Sequence, residues 1–273
     1  MTVKLFLIGK KIIPKKIKHH FSKLYYLLNN YVKHGTTDFF RAVEIETLTK
    51  CNRKCFYCPN SKYDRGDQYM EESLYKKIID ELAELNYNGR VSPHFYGEPL
   101  GDKRLPDLLG YTRQKLPSAY IVVFTNGDFL TKEMFDLLLS KGVDAFLITR
   151  HVGPDSETLK KMLNSLSAAE KKKVTLRKFT PDTTLSNRGG LIDKIKTEYM
   201  NKCNFPATSL IIDFQGNVIL CCNDFFSSVK FGNLTTEKIN EVWKKPNFIK
   251  LRKELQDGKF KLDICKKCVN MQD

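Results

Sequence analysis

No apolar run in this 273-residue chain approaches the roughly 20 residues that span a bilayer. The first residues also lack the apolar core and small-residue cleavage site of a signal peptide. Both absences exclude the ordinary membrane and secreted classes, and a cytoplasmic protein is expected. Internal repeats and low-complexity stretches are missing as well, which leaves the composition of an ordinary globular chain, 41% hydrophobic and 28% charged. Acid is absent from residues 1–37, which carry eight lysines, so that the net charge of +15 falls to about +7 over the remainder, 38 basic against 31 acidic. A basic protein invites nucleic-acid binding, but an excess gathered in one terminal segment describes that segment, and no nucleic-acid partner is expected.

Eight cysteines are present, and they are not spaced as a disulfide framework. Cys51, Cys55 and Cys58 fall within eight residues, Cys221 and Cys222 adjoin, Cys265 and Cys268 form a C-x-x-C, and Cys203 stands alone. Disulfides spread cysteines through loops, whereas soft-metal sites bunch them at gaps of two and three. Metal is the expectation.

Three segments follow from hydrophobic period. Residues 1–40 read as a basic amphipathic helix from about Ile12, with Ile17, Phe21, Leu24, Leu28 and Tyr31 on one stripe. Such a helix packs across the outside of the domain or, alternatively, makes peripheral contact with an anionic membrane surface or an acidic partner. Residues 41–199 alternate strands (42–46, 91–96, 120–125, 145–149, 174–179) with helices (71–86, 105–116, 132–141, 155–172). Repeated strand–helix units imply a parallel sheet with crossover helices, and the number of units fits an α/β partial (β/α)6 barrel. Residues 200–273 switch to a β-hairpin turning near Gly216 and Asn217, then helices over 235–256 broken at Pro246, with Trp243, Phe248 and Leu251 as core contacts. This tail is expected to be a small appendage around its own metal site.

The first cysteine group follows the first strand directly, and strand C-terminal ends face the active site in parallel α/β folds. Three thiolates suit zinc or an iron–sulfur cluster. With no fourth ligand nearby one position stays open, which a structural zinc site would fill, so an added substrate or cofactor is expected on the metal.

In these residues the chain resembles the radical S-adenosylmethionine (SAM) superfamily, with its C-x3-C-x2-C at this place and an aromatic residue, Tyr57, beside the third cysteine. The resemblance continues through Gly97-Glu98-Pro99, with Tyr96 in place of a first glycine, and through Thr125 and Asn126 before Gly127. Thr149 and Arg150 end a later strand. It implies a SAM-binding [4Fe–4S] cluster on Cys51, Cys55 and Cys58, and SAM held by Tyr57, the Gly97-Glu98 backbone, Thr125, Asn126, Thr149 and Arg150. It also implies an external one-electron donor such as flavodoxin or ferredoxin.

Cys203, Cys221, Cys265 and Cys268 offer four thiolates, which by ligand count suit a Zn(Cys)4 site as well as a second cluster. Their arrangement around a hairpin and a tryptophan-bearing helix resembles the twitch, or shortened SPASM, domain, and so implies a second [4Fe–4S]. Which of Cys221 and Cys222 is the ligand stays open. Within the superfamily, residues 42–270 are similar to alcohol dehydrogenases of aminocyclitol biosynthesis, notably at Cys51–Asn60, His94–Leu100, Thr125–Leu130 and Leu185–Gly190. That likeness puts Tyr96 and Arg188 near a small polar substrate, a sugar or cyclitol derivative. Arg188 would orient a hydroxyl or take its proton, although arginine is a poor base; an anion clamp or a salt bridge is its alternative. Where those dehydrogenases carry an aromatic residue and a glutamate after the hairpin cysteine, this chain has Cys222 and Asn223, and Phe124 stands where they carry tyrosine.

Seven cysteines serve as ligands and Cys222 is left over. A buried apolar role is the plain alternative; as a hydrogen-atom donor it would make the enzyme an epimerase. Epimerisation of a carbinol carbon is therefore placed first, dehydrogenation of a secondary alcohol second, and maturation of a ribosomal peptide third. A non-catalytic, zinc-bearing nucleic-acid-binding protein is the contrasting class.

Overall fold

The computed structural model describes residues 36–271 apart from 152, 180–182, 184, 194 and 196–199, together with 28 and 30–32. The chain divides into two units, Met1–Phe39 and Phe40–Asp273. In the first, Leu28 and residues 30–32 are helical, and the rest of the expected basic helix lies outside the described residues. Among the described residues no helix is long and apolar enough to cross a membrane.

The second unit begins as alternating strands and helices: β1 (Ala42–Ile45), α1 (Glu72–Glu84), β2 (Arg90–Ser92), α2 (Leu105–Lys115), β3 (Tyr120–Thr125), α3 (Lys132–Ser140), β4 (Ala145–Arg150), α4 (Glu157–Ser165), α5 (Ala168–Lys171) and β5 (Val174–Lys178). It continues with α6 (Phe205–Thr208), β6 (Ser209–Ile212), β7 (Asn217–Ile219), β8 (Lys230–Asn233), α7 (Ile239–Trp243), α8 (Pro246–Gln256) and α9 (Asp263–Cys268). The strands form a sheet of order β5-β4-β3-β2-β1-β6-β7-β8. β1 to β6 run parallel to one another, while β6–β7 and β7–β8 are antiparallel pairs. The architecture is α/β, with the six parallel strands of a partial barrel.

The hairpin expected in a separate appendage instead starts inside the main sheet. β6 lies parallel to β1, from Ala42 opposite Ser209 to Ile45 opposite Ile212. Two further expectations shift for local reasons. β2 stops at Ser92 because Pro93 has no N–H to continue the ladder. The long helix over 155–172 is two helices, because Ser167 caps α5 and Glu170 returns a bond to the Ser167 N–H. Pro246 opens α8 as a first-turn residue. Trp243 and Phe248 are core residues, but Leu255 is buried in α8 while Leu251 is only half-buried.

Side chains alternate across the sheet, and the two faces differ in kind. One face packs Ile121, Val123, Phe146 and Ile148 against Leu105, Leu109, Phe135, Leu138 and Leu159 of the helices. Each such buried side chain contributes about 1.5–3 kcal/mol. The other face carries Glu44, Arg90, Ser92 and Phe124, which alternate along their strands with fully buried Val43, Ile45 and Val91 of the first face. Arg90 donates to Glu44 at 2.7 Å and lies over the Phe124 ring at 5.0 Å. This polar inner face, open at the strands' C-terminal ends, positions the site.

Candidate active site

The chain leaves β1 and enters the loop of Cys51, Cys55 and Cys58, where the Cys58 N–H donates to the Cys55 carbonyl at 2.9 Å and the loop closes in a short turn, Pro59–Ser61. The three thiols lie within electrostatic reach of one another, and burial pushes Cys51 up to about 11. Metal binding there must therefore displace protons.

The loop is held by the ends of β2 and β3. The Glu98 N–H donates to the Lys50 carbonyl at 2.9 Å, and a Cβ at Gly97 would stand 2.1 Å from the Leu48 carbonyl oxygen. Glycine is thus required at 97 by contact with the cysteine loop itself, and not by a ligand alone. The Glu98 carboxylate is 3% exposed and accepts from the Thr125 hydroxyl at 2.6 Å, the Asn126 N–H at 2.8 Å and the Leu100 N–H at 3.3 Å. Burial outweighs these bonds and raises it to about 7. Asn126 in turn donates to Asn52 at 2.8 Å. Asn52 donates to Asp128 at 2.8 Å, and Arg53 grips both Asp128 oxygens at 2.6 Å.

Tyr57 stacks on Phe179 at 4.5 Å and 10° and on His151 at 5.8 Å, with its hydroxyl hydrogen-bonded to the His151 Nδ1. Burial lowers His151 to about 4, so the ring is neutral. Phe179 and His151 border a cavity also lined by Phe56, Arg150, Gly153, Asp155 and Lys178. Arg150 is already paired with Asp155, its Nε donating at 2.9 Å. Thr149, half-buried at the end of β4, stands opposite Arg177 of β5.

The remaining cysteines meet from three pieces of chain. The Cys203 N–H donates to the Leu255 carbonyl at 2.9 Å, Cys221 follows β7, and Cys265 and Cys268 lie on α9. Asn223 donates through its backbone to the Cys221 sulfur at 3.4 Å and through its side chain to the Cys268 sulfur at 3.1 Å. Among the described residues no three His, Cys, Asp or Glu side chains close around a single metal ion. Zinc would draw four sulfurs to about 2.3 Å from one point, whereas a cluster spreads its thiolates over separate irons. Three thiols in the first group and four in the second fit an open and a closed iron–sulfur cluster respectively.

Between the groups lie Tyr96, Arg188 and Cys222. The Tyr96 hydroxyl donates to the Cys222 carbonyl at 2.7 Å, and the Arg188 guanidinium lies 5.7 Å from the Tyr96 ring centre. Cys221 has Cys268 and Cys265 among its charged neighbours. Cys222 has Glu44 and Arg188 as its strongest, ahead of Cys268 and Cys203. The two adjacent sulfurs thus differ: Cys221 faces the C-terminal thiols and Cys222 the polar inner face. Burial pushes Cys222 up to about 12, keeping it a thiol. His94 stacks on Phe124 at 4.9 Å, and burial lowers it from its ordinary value.

Sequence reasoning missed the Asn52–Arg53–Asp128 network, His151, and the inner-face group of Glu44, Arg90 and His94. A signal existed for the last, since Glu44 and Glu46 recur at spacing two in a strand that is otherwise apolar. For Arg53 and Asp128, 75 residues apart, it did not.

Residues 45–179 match the radical SAM superfamily, and residues 203–269 match SPASM, an iron-sulfur cluster-binding domain. The S-adenosyl-L-methionine-dependent 2-deoxy-scyllo-inosamine dehydrogenase of Niallia circulans is 36% identical over 236 residues, covering 85% of this chain and 94% of that protein. The crystal structure of BtrN in complex with AdoMet and 2-DOIA superposes with a TM-score of 0.80 at 36% identity, over 85% of this chain and 94% of that one. BtrN in an open conformation gives 0.68 at 31% identity, over 84% and 92%, so the fold lies nearer the ligand-bound form.

Proposed function

This chain belongs to the radical SAM superfamily, with SAM and two [4Fe–4S] clusters as its cofactors, and on that premise we propose that it oxidises a secondary alcohol of a small sugar- or cyclitol-like polyol to a ketone. The carrying observation is likeness to an inosamine dehydrogenase along 94% of that protein's length. Dehydrogenation takes precedence over the epimerisation that the spare cysteine favours in the sequence alone.

Cys51, Cys55 and Cys58 would hold the first cluster, and Cys203, Cys221, Cys265 and Cys268 the second. When bound, these groups and SAM supply a carbon radical that removes a hydrogen atom from the carbinol carbon and an acceptor for the electron left behind. The chain's own residues then have defined tasks. The Gly97-Glu98 backbone, clamped to Lys50, presents polar groups beside the cysteine loop. Thr125 and Asn126, fixed by Glu98, face the same space, and the stacked faces of Tyr57 and Phe179 suit a planar base. Thr149 lines the approach, while Arg150 acts mainly through Asp155. Tyr96 and Arg188 orient the substrate. Neighbouring groups hold Arg188 above its ordinary value, so it donates hydrogen bonds and does not take the hydroxyl proton. His94, stacked on Phe124, would accept that proton. An external one-electron donor such as flavodoxin or ferredoxin completes the cycle.

Anaerobic reconstitution followed by incubation with SAM, reductant and a polyol panel tests this. A product two mass units lighter than its substrate, with 5′-deoxyadenosine formed, is expected; a product of unchanged mass would sink dehydrogenation. A second reading, epimerisation, draws on Cys222 having Glu44 and Arg188 as stronger neighbours than Cys268 and Cys203. It requires an isomeric product carrying solvent deuterium, lost in Cys222→Ala. Contact of the lysine-rich residues 1–37 with an anionic membrane is a separate proposal, and absence of co-sedimentation with phosphatidylserine vesicles would dismiss it.

A further inference from the structure

The segments that carry the two cysteine groups reach the surface side by side, and each brings an aromatic ring there. Tyr63, five residues past Cys58, is 37% exposed, and Phe226, five residues past Cys221, is 52% exposed. Their rings meet edge to face at 5.1 Å and 73°. Single exposed aromatics are ordinary on a globular surface, but this pair is built from below. Phe226 packs on Phe225 at 4.9 Å, and fully buried Phe225 meets Tyr96 at 4.7 Å. The Arg65 guanidinium lies 4.6 Å from the Phe225 ring centre and is itself paired with buried Glu46. The exposed rings thus stand on a fixed base, which leaves little side-chain freedom for a partner to remove.

Lysines flank the pair. Leu191 packs against the group of Phe225 and Tyr96, and its carbonyl accepts from Lys62 at 3.3 Å. Lys62 also pairs with exposed Asp193 at 3.1 Å. The Lys267 side chain lies along the same turn, since a Cβ at Gly190 would stand 2.9 Å from its Cδ. Residues 259–268, which end in the last cysteine pair, carry four lysines against one aspartate. Lys259 and Lys261 of that stretch answer Asp257 and Glu254, whereas Lys266 and Lys267 have no carboxylate partner among the described residues. An apolar aromatic centre with a cationic rim complements a small acidic flavin protein, whose ring system offers an apolar edge among carboxylates. Weak electron-transfer complexes use small interfaces in which charge steers the approach and a few rings make the contact.

We infer that Tyr63 and Phe226, flanked by Lys62 and Lys267, form the docking surface for an acidic, flavin-bearing one-electron carrier protein. This deepens the proposed oxidation, which needs an external carrier, and rests on it. The carbinol gives up one hydrogen atom, one proton and one electron in becoming a ketone. Cleavage of SAM to methionine and 5′-deoxyadenosine takes one electron and that hydrogen atom. A carrier that delivers the one electron and takes back the other ends a turnover in the redox state in which it began.

The test reads binding without turnover, so a failed polyol assay and a failed titration are separate results. Reconstituted full-length enzyme is titrated anaerobically with purified oxidised flavodoxin, at low and at high salt, by calorimetry. Binding of about micromolar affinity is expected at low salt, weakening about tenfold at high salt. Lys62→Glu with Lys267→Glu should weaken it about tenfold and flatten the salt dependence. Phe226→Ala should weaken it about tenfold with the salt dependence kept. Lys172→Glu with Lys173→Glu, an equal change of charge beside β5, should alter it less than about twofold. SAM cleavage driven by dithionite, which needs no docked protein, should persist in every variant, and its loss together with binding would remove the docking role. No binding of flavodoxin, equal weakening by the changes at Lys172 and Lys173, or binding untouched by Phe226→Ala would overturn the inference. So would an acidic ferredoxin held as tightly by the same four residues, since the rings would then not read a flavin.

Discussion

Cys51, Cys55 and Cys58 come from one stretch of eight residues, whereas Cys203, Cys221, Cys265 and Cys268 come from three pieces of chain that meet only in the folded unit. The first group is local in sequence but depends on distant staples: Arg53 to Asp128, Asn52 to Asn126, and Glu98 to Thr125. The second group is distant in sequence and is gathered by β7, α9 and the Leu255 carbonyl, with Asn223 bridging Cys221 and Cys268. A local loop orders its thiols at little entropic cost but must be held open toward a cofactor. A site assembled from afar gains its geometry from the fold and returns the binding energy to it.

Cys55→Ala should abolish SAM cleavage, read as 5′-deoxyadenosine, because the first group has no spare ligand. Cys268→Ala should lower iron from about eight to about four per chain while SAM cleavage persists and ketone formation stops. Loss of both activities in Cys268→Ala would break the comparison, since the two groups would then act as one unit. Asp128→Asn removes the charge that Arg53 grips and should weaken SAM binding or turnover about ten- to hundredfold, with iron in the second group unchanged.

A smaller effect concerns pH. Folded Glu98 holds its proton up to about 7, against an ordinary value of 4.5. The native chain therefore binds more protons than the unfolded one between those limits, and stability falls as pH rises through them. Thermal unfolding of the iron-free chain should drop by roughly 5 °C across that window, and Glu98→Gln should flatten the drop. A curve equally steep in the variant would assign the pH dependence elsewhere. The smallest effect belongs to Cys222→Ala, which should leave ketone formation within about twofold if the thiol only fills space.

The first cysteine group, the order of Gly97, Asn126 and Thr149 along successive strand ends, and the alternation of strands with helices were all legible in the chain, because each is set by residues near one another. Arg150 shows where that ends. Its place at a strand end fits a cofactor contact, yet Asp155, five residues on, takes its charge. Gly97 is a second case, since what it must avoid is a carbonyl 49 positions earlier in the chain. Ser167 could be read as a cap, but the apolar period of residues 155–172 overrode it. Between Cys221 and Cys222 the spacing alone left the ligand open, and their different neighbours, Cys265 and Cys268 for the one and Glu44 and Arg188 for the other, follow only from the fold.

The sequence by itself indicated the radical SAM superfamily and two groups of thiols: thiolate spacing is a local property, and three thiols behind a strand followed by four in a tail suit few chemistries. Tertiary structure alone decided that β6 completes the parallel sheet beside β1, that Glu44 and Glu46 are spent on Arg90 and Arg65, and that Arg188 lies against Tyr96. Those outcomes depend on which side chains reach one another across tens of residues, and a charge is paired or unpaired only once every neighbour around it has been placed.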